Sequence, residues 1–384
     1  MKSRAVFLPL ALLLAAGCAS APPAPEKTPA APAASKAPFS APPAAAHEIR
    51  ISVDTRAASE ILGSLSRPRF EPTDVKILED MLPVKLAIQD SGRSEEVFQR
   101  DFAAAFDPEV KTAVFDFAAI RNEKDRWLVI LESLHSRREE LERTCARRAA
   151  AVLPGDRSVQ ARLSVYITFG LAGLADHMLV TTPDGTPAML VDLARVLGEA
   201  EPASSTDQVS RLVRLISSEA FRQAWAIYRR ESPAWSRPMT SLGALEPFVR
   251  ITAEAGPVAL FGIEDSFFPL STWLKEPMQR SMNDLNRMGE RILESENDLD
   301  VRVSLAAELK RPDFARRIAA PAGASMADAI GQTLGIDALR GALASGPLAF
   351  FQEYERAVRR DRDLTPLAKA IQARLAAAAA PAPR

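Results

Sequence analysis

"VRLISSEAFRQAWAIYRR", residues 213–230, is the stretch on which the fold turns. Around it Val209, Leu212, Val213, Leu215, Ile216, Ala220, Ala224 and Ile227 recur every three or four residues. That is the period of an amphipathic helix with a wide buried stripe. No glycine or proline interrupts it from about residue 207 to 230, so the spacing predicts one long helix. Glu219 lies on its partly apolar side, directly after Ser218 and three residues before Arg222. Such a carboxylate is either part of a site or half of a surface pair worth ~0.2–0.5 kcal/mol. The neighbouring elements bear on the choice.

Two strand-like stretches precede this helix. In ARLSVYITFG (161–170) Leu163, Val165, Ile167 and Phe169 alternate, and ADHMLVTTPDGTPAMLVDL (175–193) carries a turn signal at Pro183-Asp184-Gly185. Another strand is predicted in HEIRISVD (47–54), where Asp54 or Thr55 is placed to cap a helix running through Leu65. Helical periodicity covers about 72–90, 94–106, 123–152, 241–254 and 272–295, then two or three further stretches including GPLAFFQEYERAVRR (346–360). No internal repeat is present. The expected fold class is mainly α with a small β-sheet (α+β).

The N-terminus reads differently. MKSRAVFLPLALLLAAGCAS has Lys2 and Arg4, an apolar run from Ala5 to Ala16, then Gly17-Cys18, the layout of an export signal too short to span a bilayer. The small residues before Cys18 resemble the bacterial lipobox, with Ala15 three residues ahead where leucine is commonest. The resemblance implies cleavage after residue 17, acylation of Cys18, and a membrane partner reached through the lipid. Ala19 in the following position favours the outer membrane. Residues 21–46, nearly all alanine and proline, cannot form a core and favour extended polyproline II, a tether. The expected organisation is a signal over 1–17, lipidated cysteine and tether over 18–46, a helical body over 47–375, and an Ala/Pro tail over 376–384.

The body's composition narrows the partners. The chain is 47% hydrophobic and 25% charged with a formal net charge of −1 and no basic patch, so nucleic acid is not an expected partner. Of its two cysteines, lipidation of Cys18 leaves Cys145 alone, so no intramolecular disulfide is expected.

The order of the central parts is informative: a helical first half, a strand ending in YITFG, a turn, the strand AMLVDL, the 207–230 helix, then a helix carrying AEAGPVA (253–259). This layout resembles a family of predicted zinc-dependent peptidases of the gluzincin type, across 47–360 in outline and most specifically across 160–260. In that family the helix carries H-E-x-x-H, whose histidines bind zinc and whose glutamate is the general base. A glutamate from a later E-G-x-A stretch is the third ligand. The resemblance implies a zincin-like helical domain with Glu219 in the place of the base, Ser218 and Arg222 in the places of the histidines, and Glu254 in that of the third ligand. Here EAGPVA fits E-G-x-A with a gap or with alanine for glycine.

The substituted residues change the chemistry. Serine is a poor neutral ligand, and guanidinium has no lone pair to offer. A guanidinium ~4 Å from a dication at an effective dielectric near 20 is repelled by about 8 kcal/mol. That opposes most of the ~10–16 kcal/mol a good structural zinc site supplies. Arg222 is therefore expected to replace the metal, pairing with Glu219 and with Glu254 across the gap, and no cofactor is expected. Function is then expected to be binding or scaffolding of a protein or peptide partner at the bacterial cell envelope, by an inactive metallopeptidase-like pseudoenzyme. Two alternatives are an active zinc peptidase using a further ligand such as His177, and an unrelated helical envelope interaction module. Other constellations are weaker. The three histidines His47, His135 and His177 form no i,i+4 pair, and Glu132-x-x-His135 has no second copy for a di-metal bundle.

Overall fold

The structure, a computed structural model, describes residues 47–107, 109, 114–170, 176–198, 205–262 and 272–380. These lie within one compact unit. The signal, Cys18 and the tether expected over 1–46 fall outside the described residues. Among those described, no helix is long and apolar enough to cross a membrane.

The protein is mainly α with one small mixed sheet. Strands β1 (Glu48–Asp54), β2 (Gln160–Thr168), β3 (His177–Thr181) and β4 (Pro187–Asp192) lie in the order β1-β2-β4-β3. β1, β2 and β4 run parallel, and the edge strand β3 is antiparallel to β4. The register places Ile51 beside Leu163, Val165 beside Met189, and His177 beside Val191. Alternation then decides the faces. Ile51, Val53, Leu163, Val165, Ile167 and Val191 enter the main core, while Leu190 turns to a smaller cluster with Leu86 and Ala87.

Among the described residues, seven helices connect β1 to β2: α1 (Arg56–Leu65), α2 (Pro72–Asp80), α3 (Leu82–Asp90), α4 (Glu95–Ala104), α5 (Phe117–Asn122), α6 (Lys124–Ser136) and α7 (Arg138–Ala150). A parallel pair needs such a crossover. After β4 come α8 (Leu193–Gly198) and the long α9 (Ser205–Glu231), which packs against α7 and β2. The short α10 (Pro233–Ser236) and a 3-10 turn (Thr240–Leu245) lead to α11 (Glu246–Gly262). Then follow α12 (Thr272–Glu294), α13 (Leu299–Leu309), α14 (Pro312–Phe314), a π-helical turn (Ala315–Ala319), α15 (Ala320–Leu334), α16 (Ile336–Ser345), α17 (Pro347–Arg360) and α18 (Lys369–Ala379). α15 is central to this second half and packs on α11, α12, α16 and α17. Its approach to α11 is backbone to backbone: a Cβ on Gly256 would sit 2.4 Å from the carbonyl carbon of Gly323.

Several boundaries differ from the periodicity. The 72–90 helix divides at Met81, whose ψ of 131° is extended, because Pro83 can donate no hydrogen bond to residue 79 and its ring would strike that carbonyl. The 123–152 helix divides at Arg137 (φ −107°, ψ 13°). Just before the break, Ser136 Oγ donates to the Ser133 carbonyl at 2.9 Å, a local bond that competes with the helical ladder. The 241–254 helix is instead a 3-10 turn followed by α11, which continues to Gly262. At the C-terminus α18 extends through Ala379, since an alanine run favours helix over tail.

Candidate functional site

Glu219 is carried into the interior by the stripe that packs α9: Leu212, Ile216, Ala220, Phe221 and Ala224 are buried around it. The carboxylate is only 5% exposed. Arg222 grips it with both ends of its fork, Nε to Oε2 at 2.7 Å and Nη2 to Oε1 at 2.7 Å. Gln223 Nε2 adds a bond to Oε1 at 3.0 Å. The i,i+3 pair expected from the sequence is present in its bidentate form. Bonding to Glu219 raises the Arg222 pKa still further, so the cation is permanent. Ser218, half-buried, donates its hydroxyl back to the Leu215 carbonyl at 2.9 Å.

The sheet also brings a histidine within electrostatic range of the pair. β3 begins at His177, directly after Asp176, at the end of the sheet where β2 and β4 finish. Burial lowers the His177 pKa, opposed by the charges of Glu219 and Asp176 and reinforced by Arg222. His177 is therefore an electrostatic neighbour of the pair. Nearby, the buried Asp192 caps α8 by accepting from the backbone N–H groups of Ala194 and Arg195 at 3.0 and 3.2 Å. Two residues past the end of β2, Gly170 has φ +69° and is pressed on Phe117 so closely that a Cβ would lie 2.7 Å from the ring. Two clefts open at this end of the sheet. One, of about 310 Å³, is lined by Asp116, Glu123, Trp127, Asp192 and Arg195 among others. The second, of about 270 Å³, lies along α9 between Arg211, Arg214, Leu215 and Ser218. Asp176 lines both.

Glu254 is placed elsewhere. α11 runs antiparallel to α9, with Phe221 stacked on Phe261 at 4.6 Å between ring centroids and Trp225 Nε1 donating to the Glu254 carbonyl at 3.1 Å. This register puts the Glu254 carboxylate beside Arg229, 2.6 Å from Nη1. Residues 219 and 229 are ten apart, about 15 Å along a helix axis. The expected pairing of Glu254 with Arg222 is replaced by the pair with Arg229.

No family model, no curated protein and no solved structure matches this chain. The site's chemistry must therefore be read from its own atoms. These do not fit zinc: Ser218 has turned its hydroxyl to the helix backbone, Arg222 presents a cation, and Glu254 serves Arg229. Among the described residues, no group of three or more His, Cys, Asp or Glu side chains is arranged to hold a metal ion. The other sequence candidates are separate. Glu132 and His135 are both exposed on α6. Cys145 is buried, its pKa is pushed up to about 12 by burial, and it is an inert core thiol. Cys18 lies outside the described residues. Sequence reasoning missed Arg211 and Asp176. Arg211 and Arg214 stand at i,i+3 in the sequence, but the rest of the cleft comes from Asp176 just before β3, Val196 of α8 and Gly262 of α11.

Proposed function

We propose that this protein is a lipid-anchored component of the bacterial cell envelope with a metallopeptidase-like body whose metal position is filled by an ion pair. It acts by binding or scaffolding a protein or peptide partner, not by hydrolysis. The observation that carries this reading is the bidentate Arg222–Glu219 pair in the register of H-E-x-x-H. A general base must have lone pairs free to take a proton from water. Here three of the roughly four acceptor positions on Glu219 are taken by Arg222 and Gln223, and the dication that would lower the water's pKa is replaced by a guanidinium. The lipobox-like Gly17-Cys18 and the Ala/Pro stretch to residue 46 support the anchor and tether. The electrostatic influence of Glu219 on His177 is the feature that favours the alternative, an active zinc peptidase with an unusual ligand set, yet that reading also needs the Glu254 carboxylate, which is held by Arg229.

The deciding experiment is a peptidase assay of the full chain in detergent on unstructured protein substrates, with and without added zinc. The expected result is no hydrolysis above a buffer control. Cleavage that a chelator abolishes and zinc restores would overturn the proposal.

A further inference from the structure

A groove of about 340 Å³ with a mostly apolar lining lies between α13 and the turn that opens α11. One rim is Leu299, Val303 and Ala306, at i, i+4 and i+7 on α13, and the other is Gly243 and Pro247, with the buried Leu305 beneath. Leu299 and Val303 are 69% and 62% exposed, whereas a helix ordinarily turns such side chains to its buried stripe. Scattered singly they would need no explanation, but here they join the groove into one continuous apolar surface. The opposite rim is held in place. Gly243, with φ +57°, lets its turn lie against Glu296, where a Cβ would come within 2.6 Å of Oε1, and Glu296 pairs with Arg374 of α18. Every lining residue sits inside a stretch described without a break, and α11 meets the groove at Pro247, ~22 Å of helix before Gly262.

We propose that this groove docks on a lipid bilayer surface, with acyl chains entering between the rims and Arg302, which lines the groove, reaching a headgroup phosphate. The inference rests on the proposed anchor at Cys18 and names the face that the anchored body turns to the membrane. The Ala/Pro stretch over residues 19–46, if fully extended at ~3.1 Å per residue, reaches ~87 Å. A body of roughly 330 residues has a radius of gyration of only about 20 Å. Such a tether lets any face meet the bilayer, so surface chemistry chooses the face. It also keeps the body at high effective concentration near the lipid, where a patch too weak to bind from free solution suffices. Arg302 Nη1 donates to the Glu296 carbonyl at a long 3.5 Å, and Lys310 and Arg311 are exposed where α13 ends. Long cationic side chains lay their stems on apolar surface and their heads among phosphates. Of the acids on α13 and at its cap, Asp298 accepts from the Val301 N–H at 3.1 Å and Glu308 pairs with Arg291 at 3.7 Å. Asp300 lies about 100° round the helix from Leu299, off the rim.

The test uses the full chain reconstituted into vesicles of phosphatidylethanolamine and phosphatidylglycerol. A bimane label at Val303→Cys is compared with one at Val129→Cys on α6, a valine that is 68% exposed, for quenching by lipids brominated on their acyl chains. Cys145 is fully buried and an acylated Cys18 is blocked, so the introduced thiol takes the label. Quenching about threefold or more stronger at 303 than at 129 is expected, since interfacial apolar side chains sit ~5–10 Å into the headgroup and acyl boundary. Leu299→Glu, read from a label at Ala306→Cys, should bring quenching down to the level at 129. The Ala306 label alone repeats the measurement if Val303→Cys does not fold. Equal quenching at 303 and 129 in a chain that floats with the vesicles overturns this inference and leaves the anchor standing. A wild-type chain that does not float contradicts the anchor, and the inference with it. A dimer in detergent that Leu299→Glu dissociates assigns the groove to a second copy and overturns the proposal.

Discussion

Replacing Arg222 with alanine removes the partner of a carboxylate that is 5% exposed. Two charge-assisted hydrogen bonds of 2.7 Å are lost, and Glu219 retains only the neutral bond from Gln223 at 3.0 Å. Breaking a fully buried ion pair costs ~3–5 kcal/mol, because a desolvated charge is left behind. The Arg222 side chain, however, is 48% exposed, so water enters from its side once it is gone. The expected loss is therefore about 2 kcal/mol, between the buried-pair figure and the ~0–1 kcal/mol of a surface pair. Urea unfolding of Arg222→Ala against wild type measures this as a lowered midpoint with an unchanged slope. Glu219→Gln with Arg222→Met should recover most of the loss, since an uncharged pair leaves no orphaned carboxylate. A loss below about 0.5 kcal/mol for Arg222→Ala would refute the reasoning and mark the pair as helix-surface decoration.

Four further outcomes test the packing, the buried histidine and the expected anchor. Gly256→Ala should destabilise by about 2–3 kcal/mol, because its Cβ would stand 2.4 Å from the Gly323 backbone and push two packed helices apart. Gly63→Ala, with nothing within 4 Å of its Cβ, should stabilise by ~0.5–1 kcal/mol, and equal effects in the two unfolding curves would contradict the packing described. The lowered His177 pKa means that the unfolded chain takes up this proton first as pH falls. The contribution to stability is thus complete above the unfolded value near 6.5 and lost as pH drops through the folded one. His177→Gln should flatten the decline in urea midpoint between pH 7.5 and 5, leaving the part due to His47, whose pKa burial also lowers; identical pH profiles would exclude this role. Cys18→Ser should abolish acyl labelling and leave an uncleaved precursor, and a wild-type chain free of lipid would end the anchor proposal.

Much of the fold was legible because it is written in short-range periodicity. α9 follows from its apolar spacing, β1 and β2 from alternation that the sheet register turns toward the core, and β4 from an apolar run after the turn signal at Pro183-Asp184-Gly185. Pro83 marked the break at Met81 in the sequence itself, but apolar periodicity on both sides ran across it. Arg137 is a subtler case, since a serine bonding its own helix leaves no trace in periodicity. Within the site, the Glu219–Arg222 pair was readable because i,i+3 neighbours meet on any helix. Glu254 was not, because its position depends on how α11 slides along α9, and that register is set by Phe221 against Phe261 and by Trp225 on a backbone carbonyl. His177 was named only as one possible ligand. The edge strand that brings it within electrostatic range of Glu219 follows from sheet order, which spacing along the chain does not specify.

The central proposal is that an ion pair stands at the position corresponding to the zinc site of an H-E-x-x-H helix, and metal content tests it most directly. The full chain, exposed to excess zinc and passed through a desalting column, should retain far less than one zinc per chain by elemental analysis. Ser218→His with Arg222→His should gain zinc affinity that falls with His177→Ala and persists with Glu254→Ala, because His177 lies within electrostatic range of Glu219 while Glu254 belongs to Arg229. One tightly held zinc per wild-type chain, lost on Ser218→Ala or Glu219→Gln, would contradict the account.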